Sequence, residues 1–215
     1  MTADEIFALS PVIPVAVVED ARSAVGLARA LEAAGVPVLE VTLRTPGALE
    51  ALAAVRAEVP GVAVGAGTVL TPAQAEAARA AGAEFLVSPG CTPALLAAQA
   101  PDGPPLIPGV VTPSEVMLAL EHGLDRLKLF PAASSGGPQV LAALAGPFAG
   151  VRFCPTGGIS LDAAADYLSL PNVACIGASW LADPARVRAG DWAGITAMAR
   201  QALARLGRGP RLQVC

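Results

Sequence analysis

The sequence predicts an α/β fold, a (β/α)₈ TIM barrel with a short N-terminal helix, and three observations support this prediction. Short runs rich in Val, Ile and Leu alternate with Ala-rich stretches along the chain, and eight such pairs occur. The short runs are almost continuously apolar, as parallel strands covered by helices are. A length of 215 residues suits one compact barrel, so we expect a single domain over residues 1–215. The alternative is a doubly wound open sheet, but no Gly-x-Gly-x-x-Gly fingerprint follows the first strand.

The individual elements follow from apolar runs and from the residues that begin and end helices. The predicted strands cover residues 13–18, 37–43, 62–67, 84–88, 106–108, 126–130, 152–156 and 173–177. The predicted helices cover residues 23–34, 46–59, 72–81, 93–100, 113–122, 138–145, 161–168 and 184–206. A further short helix within residues 1–9 is expected to cover the bottom of the barrel.

Four of the predicted helices open with a Thr-Pro pair. In such a pair threonine is the N-cap acceptor, and proline takes the first helical position, where its missing N–H costs nothing. The four threonines are Thr45, Thr71, Thr92 and Thr112. Gly35, Gly82 and Gly123 stand where helices are expected to stop.

Composition narrows the function classes. The net charge is −4 and no cluster of basic residues occurs, so a nucleic-acid surface is not expected. No apolar run approaches the roughly 20 residues of a membrane span, and residues 1–10 do not resemble a signal peptide. We therefore expect a cytoplasmic protein. Its four cysteines lack metal-ligand spacing and are interpreted as reduced thiols, with no metal site.

The basic residues are unusual, because the chain has 13 arginines and a single lysine, Lys128. Arginine stays protonated, whereas a lysine amine can lose its proton and form an imine with a ketone. On strand six, alternation of side chains points Lys128 into the barrel beside Arg126 and Phe130. The alternative is that Lys128 only forms an ion pair at the rim, with Asp125 or Glu40.

Strand two carries the charged groups that are expected to face Lys128 across the barrel. By the same alternation Glu40, Thr42 and Arg44 share the inward face. Strands two and six lie opposite each other in an eight-stranded barrel, so Glu40 and Lys128 can meet. Burial and a nearby Arg44 would both favour the neutral amine that imine formation requires. The alternative is a structural ion pair that links Glu40 to Arg44 or to another neighbour.

An anion site is expected after strands seven and eight. Gly157 and Gly158 free backbone N–H groups just after strand seven, and Ser179 adds a hydroxyl after strand eight. Loops at this place recurrently bind phosphate in eight-stranded barrels. His122 is interpreted as a helix-end residue, and Trp180 and Trp192 as residues of packing or subunit contact rather than of ligand stacking.

Six short motifs occur in one order along the chain. They are LEVTLRT (39–45), VGAGTVL (64–70), SPG (88–90), IPG (107–109), KLFPA (128–132) and RFCPTGGI (152–159). Together they resemble the 2-keto-3-deoxy-6-phosphogluconate aldolases, a family that also acts as 4-hydroxy-2-oxoglutarate aldolase. The likeness extends to about residue 206.

The resemblance implies a class I aldolase that needs no metal or other cofactor and assembles as a homotrimer. It implies a phosphorylated keto-acid substrate, with Lys128 as the imine-forming lysine and Glu40 as the acid and base. Arg44 and Thr68 would receive the pyruvyl carboxylate. The remaining implied site residues are Pro89 and Phe130 on the pocket wall, Thr156 near the hydroxyl-bearing carbons, and Gly157, Gly158, Gly177 and Ser179 around the phosphate.

Two departures from the family pattern occur just past Lys128. Ala133 stands where an acidic residue is common, and Leu129 stands where an aromatic residue is common. Neither removes a catalytic group. The alternatives left open are an aldolase for the galactonate-derived substrate, a phosphate-binding isomerase or synthase without imine chemistry, and a non-catalytic sensor of keto-acid phosphates.

Overall fold

The computed structural model describes residues 1–100 and 102–207, and its centre is a ring of eight short parallel strands. We number them in chain order. They are β1 (Val12–Ala16), β2 (Val38–Thr42), β3 (Ala63–Gly67), β4 (Leu86–Val87), β5 (Leu106–Ile107 and, past Pro108, Gly109–Val110), β6 (Arg126–Leu129), β7 (Arg152–Phe153) and β8 (Ile176–Ala178).

The strand pairing runs around the ring. The first part of β5 pairs with β4, and pairing continues through β3, β2 and β1 to β8. The second part of β5 pairs with β6, which pairs with β7. Single bridges, from Phe153 to Val173 and from Thr156 to Gly177, connect β7 with β8. The ring is therefore closed, and the predicted barrel is confirmed.

Helices surround the barrel. They are α1 (Ala3–Ala8), α2 (Ala21–Ala34), α3 (Ala48–Glu58), α4 (Pro72–Ala80), α5 (Pro93–Ala97), α6 (Pro113–Glu121), α7 (Gly137–Ala145), α8 (Ala164–Leu168), α9 (Pro184–Ala189) and α10 (Trp192–Leu206). Two 3₁₀ turns, Ala133–Ser135 and Trp180–Ala182, follow β6 and β8. Some of the chain's apolar side chains are therefore buried between the strands of the barrel and the surrounding helices.

Three of the four Thr-Pro predictions are confirmed and one is wrong. The hydroxyls of Thr71, Thr92 and Thr112 accept backbone N–H bonds at the starts of α4, α5 and α6. Helix α3 instead begins three residues after Thr45, behind Gly47, which makes no side-chain cap. The Thr45 hydroxyl donates to the Val18 carbonyl at 2.6 Å, so it joins the loops after β1 and β2 rather than capping a helix.

The predicted helix over residues 184–206 is also divided. Gly190 adopts φ +66° and ends α9, and the Asp191 side chain then accepts the N–H of Gly194 and caps α10. A glycine in the left-handed region followed by an N-cap residue is an ordinary break between two helices. Both signals are present in the sequence.

Helix α1 closes the amino ends of the strands, as expected. Ile6 and Phe7 are almost fully buried, and a capping box of Thr2 and Glu5 fixes the start of the helix. Asp4 forms an ion pair with Arg126 at the first residue of β6. No helix in residues 1–100 and 102–207 is long and apolar enough to cross a membrane.

The minor predictions have the following outcomes. Gly26 packs under the indole ring of Trp192, where a Cβ would lie 2.5 Å from the nearest ring atom, so this tryptophan is a packing residue. The Trp180 indole N–H donates to Ile159. Cys91, Cys154 and Cys175 are free thiols. The fourth cysteine, Cys215, lies outside the described residues.

Candidate active site

Lys128 and Glu40 meet inside the barrel. Their side chains come from β6 and β2, and the Lys128 Nζ lies 3.5 Å from the Glu40 Oε1. Only 7% of the lysine side chain and 4% of the glutamate side chain are exposed. A buried amine beside a buried carboxylate can exchange a proton with it, because no water layer separates them.

Strand alternation explains the inward position of Lys128. Its neighbours Leu127 and Leu129 are fully buried on the opposite face of β6, towards the helices. The Lys128 backbone N–H donates to the Pro108 carbonyl at 2.9 Å, which fixes β6 against β5. The side chain is therefore directed inward by a strand that is held on both sides.

Phe130 supplies the wall next to the amine. Its half-buried ring has its centroid 5.0 Å from the Lys128 Nζ, within the range of a cation–π contact. The peptide bond from Phe130 to Pro131 is cis. The ring excludes water from one side of the amine.

Arg126 does not belong to this site, although the sequence placed it beside Lys128. It forms ion pairs with Asp4 and Asp125 and donates to the Gly150 carbonyl at 3.2 Å. Alternation assigned the correct face of the strand. The two-residue offset, about 6.6 Å along a strand, puts Arg126 at the opposite end of the barrel.

Arg44 lies at the mouth of the barrel. Strand β2 ends at Thr42, whose hydroxyl donates to the Ala16 carbonyl at 2.9 Å, and Arg44 follows in an exposed turn. Among the residues that the structure describes, Arg44 has no ion-pair partner, so the alternative of a Glu40–Arg44 pair is not observed. Its charge is free to meet an anion that enters the barrel.

Thr68 has an unusual backbone. It follows β3 and adopts φ +57°, the only positive φ of a non-glycine residue in residues 1–100 and 102–207. A β-branched residue rarely adopts this conformation, which costs on the order of 1–2 kcal/mol. Such strain is concentrated at functional sites. The half-buried Thr68 side chain therefore joins the candidate site on its own structural evidence.

Pro89 lies at the carboxyl end of β4. Ser88 is fully buried, and its hydroxyl donates across the turn to the Gly90 carbonyl at 2.7 Å. The backbone of Gly109 packs so closely on this turn that a Cβ there would lie 2.7 Å from the Gly90 nitrogen. Pro89 is thereby fixed at the rim, half-buried.

A cavity of about 210 Å³ opens beside this site, between the ends of β7 and β8. Six residues that the sequence predicted for the site line it, together with three that the sequence did not indicate. The lining residues are Val15, Phe130, Thr156, Gly157, Gly158, Ile159, Gly177, Ala178 and Ser179. Gly157 and Gly158 have φ values of +101° and +75°, so their turn is one that other residues rarely form.

Thr156 connects the cavity with the lysine. The residue is 6% exposed, and its hydroxyl donates to the Cys154 carbonyl at 3.3 Å. Its backbone carbonyl accepts the N–H of Ala132, just past Phe130. The floor of the cavity is thus bonded to the end of the lysine strand.

The neighbouring thiols are poor candidates for the nucleophile. Burial raises the pKa of Cys175 well above its usual value, and the adjacent Cys154 adds to this effect. Burial, followed by the charge of Glu115, also raises the pKa of Cys91. Both thiols therefore stay protonated near neutral pH, and a thiol attacks carbonyl carbons only as the thiolate.

Two further candidates lie elsewhere. His122 is exposed at the end of α6, with its Nδ1 3.0 Å from the Leu118 carbonyl, as expected of a helix-end residue. No group of three or more His, Cys, Asp and Glu side chains that could hold a metal ion occurs within residues 1–100 and 102–207.

Sequence reasoning also missed Gly67 at the end of β3. Its α-carbon lies directly under the Glu40 side chain. The available signal was the sequence of β3, in which one face carries only Ala63, Gly65 and Gly67 and is therefore almost without side chains.

Comparisons with known proteins place the chain among aldolases. The sequence profile of the family described as KDPG and KHG aldolase matches residues 3–198. The KHG/KDPG aldolase of Escherichia coli K12 is 51% identical over 202 residues, which are 94% of this chain and 95% of that protein.

Two solved structures are also similar. The KDPG aldolase of Legionella pneumophila, with pyruvate captured as a covalent carbinolamine, has a TM-score of 0.92 and 46% identity, and covers 94% of this chain and 98% of its own. The Zymomonas mobilis ZM4 enzyme with 3-phosphoglycerate has a TM-score of 0.88 and 46% identity, with coverage of 99% and 98%.

Proposed function

The chain belongs to the KDPG and KHG aldolase family, and from this premise we propose that it cleaves 2-keto-3-deoxy-6-phosphogluconate into pyruvate and glyceraldehyde 3-phosphate. One observation carries the proposal. The only lysine of the chain is buried in the barrel, with its Nζ 3.5 Å from the Glu40 carboxylate. A Schiff-base aldolase needs this pair, an amine that can attack a ketone and a group that moves protons.

In the first half of the reaction Lys128 becomes covalently bound to the substrate. Glu40 takes a proton from the Lys128 ammonium group, the neutral nitrogen attacks the C2 ketone, and one N–H proton passes to the new alkoxide to give a carbinolamine. Glu40 returns the proton to the departing hydroxyl, water leaves, and a protonated imine remains. The positively charged imine nitrogen can now accept the electron pair of the C3–C4 bond.

In the second half the carbon–carbon bond breaks. The C4 hydroxyl gives its proton to the Glu40 carboxylate, the C3–C4 electron pair moves towards the imine nitrogen, and glyceraldehyde 3-phosphate leaves. Glu40 then protonates the enamine carbon that was C3. Addition of water to the new imine releases pyruvate and restores the free Lys128 amine.

Arg44 and Thr68 orient the keto acid in this proposal. The exposed guanidinium, without an ion-pair partner in the described parts of the chain, would neutralise the substrate carboxylate, and the Thr68 hydroxyl would donate to it. Pro89 and Phe130 would keep the reacting carbons in a narrow apolar space. Fixing the ketone next to the amine is itself a large part of catalysis.

The phosphate would occupy the 210 Å³ cavity at the other end of the substrate. Backbone N–H groups of the Gly157–Gly158 turn and the Ser179 hydroxyl are the donors, and Gly177 leaves room beside them. Thr156 lies between this cavity and Lys128, so its hydroxyl would meet the hydroxyl-bearing carbons and influence stereochemistry at C4.

A second substrate is 4-hydroxy-2-oxoglutarate. The name of the Escherichia coli relative includes this activity, and the imine chemistry at C2 and the cleavage of C3–C4 are the same. The phosphate cavity would then stay outside the reaction. The galactonate-derived substrate differs only at C4, so it would have to be distinguished at Thr156.

The family likeness also leads us to propose a single-domain subunit, a homotrimer and a cytoplasmic location, with a role in the Entner–Doudoroff pathway. Sedimentation velocity would test the trimer. A monomer at micromolar concentration would contradict it.

Borohydride trapping tests the proposed chemistry. The protein is incubated with pyruvate, reduced, and digested with trypsin. Reduction of the imine blocks cleavage at Lys128, so we expect one long peptide over residues 127–152 that carries the pyruvate-derived group, because Arg126 and Arg152 are the flanking cleavage sites. The K128M variant is the control. A normal peptide over residues 129–152 at full occupancy after trapping would contradict the proposal, as would turnover without release of pyruvate in an assay coupled to lactate dehydrogenase.

A further inference from the structure

The position of the Glu40 carboxylate depends on its neighbour strand. In the register of β2 with β3, Glu40 lies opposite Gly65, and Gly67 lies one pleat further towards the barrel mouth. The glutamate side chain extends in that direction and lies across the bare α-carbon of Gly67. Glu40 and Gly67 are both buried.

A side chain at position 67 would collide with this carboxylate. A Cβ built on Gly67 would lie 2.7 Å from both Cγ and Cδ of Glu40 and closer still to Oε1. These three atoms are its nearest neighbours. The φ of Gly67 is not among the positive values of the chain, so the backbone itself would accept alanine. The conflict at this position therefore lies with Glu40.

Within the described residues, no hydrogen bond holds the buried oxygen of the Glu40 carboxylate from the other side. The Oε1 atom is buried and has no hydrogen-bond partner within residues 1–100 and 102–207. The charged group beside this oxygen is the Lys128 Nζ, at 3.5 Å. Most buried carboxylates are held in position by hydrogen bonds. For Glu40, packing against β3 therefore has to provide this restraint.

We propose that Gly67 is a positioning residue for the reaction, because its missing side chain forms the seat that holds the Glu40 carboxylate against the Lys128 amine. The inference rests on the proposed function, since it assigns a purpose to the short distance between those two groups. Gly67 itself donates and accepts nothing in the chemistry. It acts only through the space that it leaves.

The consequence of filling that space can be stated. In the G67A variant the carboxylate has to move away from position 67 by rotation about its own side-chain bonds. Proton transfer to and from the imine nitrogen then becomes slow, whereas Arg44, Thr68 and the phosphate cavity are unchanged. We expect kcat to fall by about 100-fold, the typical loss for a catalytic group displaced by about 1 Å. The KM should change little.

The matched control is G65A, on the same strand and two residues away. A Cβ at Gly65 would press on the Phe85 ring, 2.5 Å from its Cζ, instead of on a catalytic group. Both variants are expected to unfold at lower temperature, because both crowd a packed interior. Only G67A should also slow the exchange of pyruvate methyl protons with deuterated solvent, which reports enamine formation by NMR.

A stability comparison keeps the proposal testable if G67A does not fold. The double variant E40A/G67A should unfold at the same temperature as E40A alone, because the three Glu40 atoms that a side chain at position 67 would meet first are then gone. If the double variant is also unfolded, Gly67 serves the fold and the proposal is overturned. It is equally overturned by a folded G67A with the kcat and exchange rate of the unaltered protein.

Failure of the proposed function would look different. If the unaltered chain forms no reducible adduct with pyruvate at Lys128, the aldolase proposal fails and the role of Gly67 fails with it. If the adduct forms and G67A is as fast as the unaltered chain, only the inference about Gly67 fails.

Discussion

The two ends of the barrel treat their charged side chains in opposite ways, and strand β6 (Arg126–Leu129) shows both within three residues. Arg126, at the amino end, has two carboxylates and two backbone carbonyls as partners. Lys128, at the carboxyl end, has one carboxylate at 3.5 Å, and that carboxylate has no hydrogen-bond donor in the described residues. The same face of one strand thus carries a satisfied cation and an undersatisfied one.

Backbone conformation follows the same division. At the amino end, α1 (Ala3–Ala8) has a complete capping box and buries Ile6 and Phe7. At the carboxyl end, Thr68 has a strained φ, and the Gly157–Gly158 turn requires glycine. The difference teaches that one end is optimised for stability, while the other keeps free polar groups and strain that an incoming ligand can use.

The largest expected effect is that of removing each cation in turn. We expect K128M to lose at least about 10³-fold in kcat/KM, because no other residue of the chain can form the imine. R126M should keep its activity. It should lower the free energy of unfolding by about 1–2 kcal/mol, since its partners Asp4 and Asp125 are half exposed and can be hydrated.

Pyruvate release and urea unfolding measure these two quantities. K128M leaves Glu40 buried without its cation, which can cost about 3 kcal/mol of stability, so K128M/E40Q serves as a folded version of the same deletion. An active K128M, or an R126M variant that loses activity while folded, would contradict the division between the two ends.

The second effect is at the mouth of the barrel. R44A should raise the KM for substrate about 30-fold, which corresponds to the loss of roughly 2 kcal/mol of hydrogen bonding to a charged group. Its stability should change by less than about 0.5 kcal/mol, because Arg44 is exposed. The control R29A removes an exposed arginine that pairs with Glu58 far from the site and should leave KM unchanged. Equal KM values for the two variants would refute the role of Arg44.

The third prediction is that one substitution, T68G, preserves or raises stability but weakens substrate binding. T68G relieves a positive φ, so the free energy of unfolding should stay level or rise by up to about 1 kcal/mol, while the KM for pyruvate rises about tenfold through the lost hydroxyl. G123A is the contrast at the amino end. Gly123 has φ +74° and open space around it, so alanine should cost about 1 kcal/mol and leave kinetics unchanged. A T68G variant that is clearly less stable would contradict strain at this residue.

The sequence predicted the barrel well, because eight apolar runs separated by helical stretches leave few other arrangements. It also predicted that Glu40 and Lys128 share the barrel interior, since alternation along a strand assigns faces reliably. The roles of these residues stay predictions until the trapping experiment. Alternation does not show how far along the barrel axis a side chain lies. For this reason the prediction that Arg126 lies beside Lys128 is wrong.

Other features depend on contacts between segments distant in the chain. The glycines of β3 indicate bare backbone, but no local pattern shows the strain at Thr68 or which side chain packs on Gly67, because both arise from how β3 meets β2 and the loops. The division of α9 (Pro184–Ala189) from α10 (Trp192–Leu206) is different, because Gly190 and Asp191 are a local stop and start signal. That boundary was predictable from the sequence.

The smallest expected effect concerns Thr45, whose hydroxyl the sequence assigned to helix capping. Thr45 and Thr71 are both threonines before a proline, but Thr45 donates to Val18 across two loops, whereas Thr71 caps α4 (Pro72–Ala80). Because Arg44 precedes Thr45 directly, T45A should loosen the turn that presents the guanidinium and raise KM about threefold, within the roughly 1 kcal/mol of one hydrogen bond. T45S should restore the unaltered KM, since it keeps the hydroxyl. T71A should cost about 1 kcal/mol of stability as a lost cap and leave KM unchanged. If T45A instead behaves like T71A, the hydroxyl serves the fold alone, and the functional end of the barrel begins at Arg44 and does not include the residue behind it.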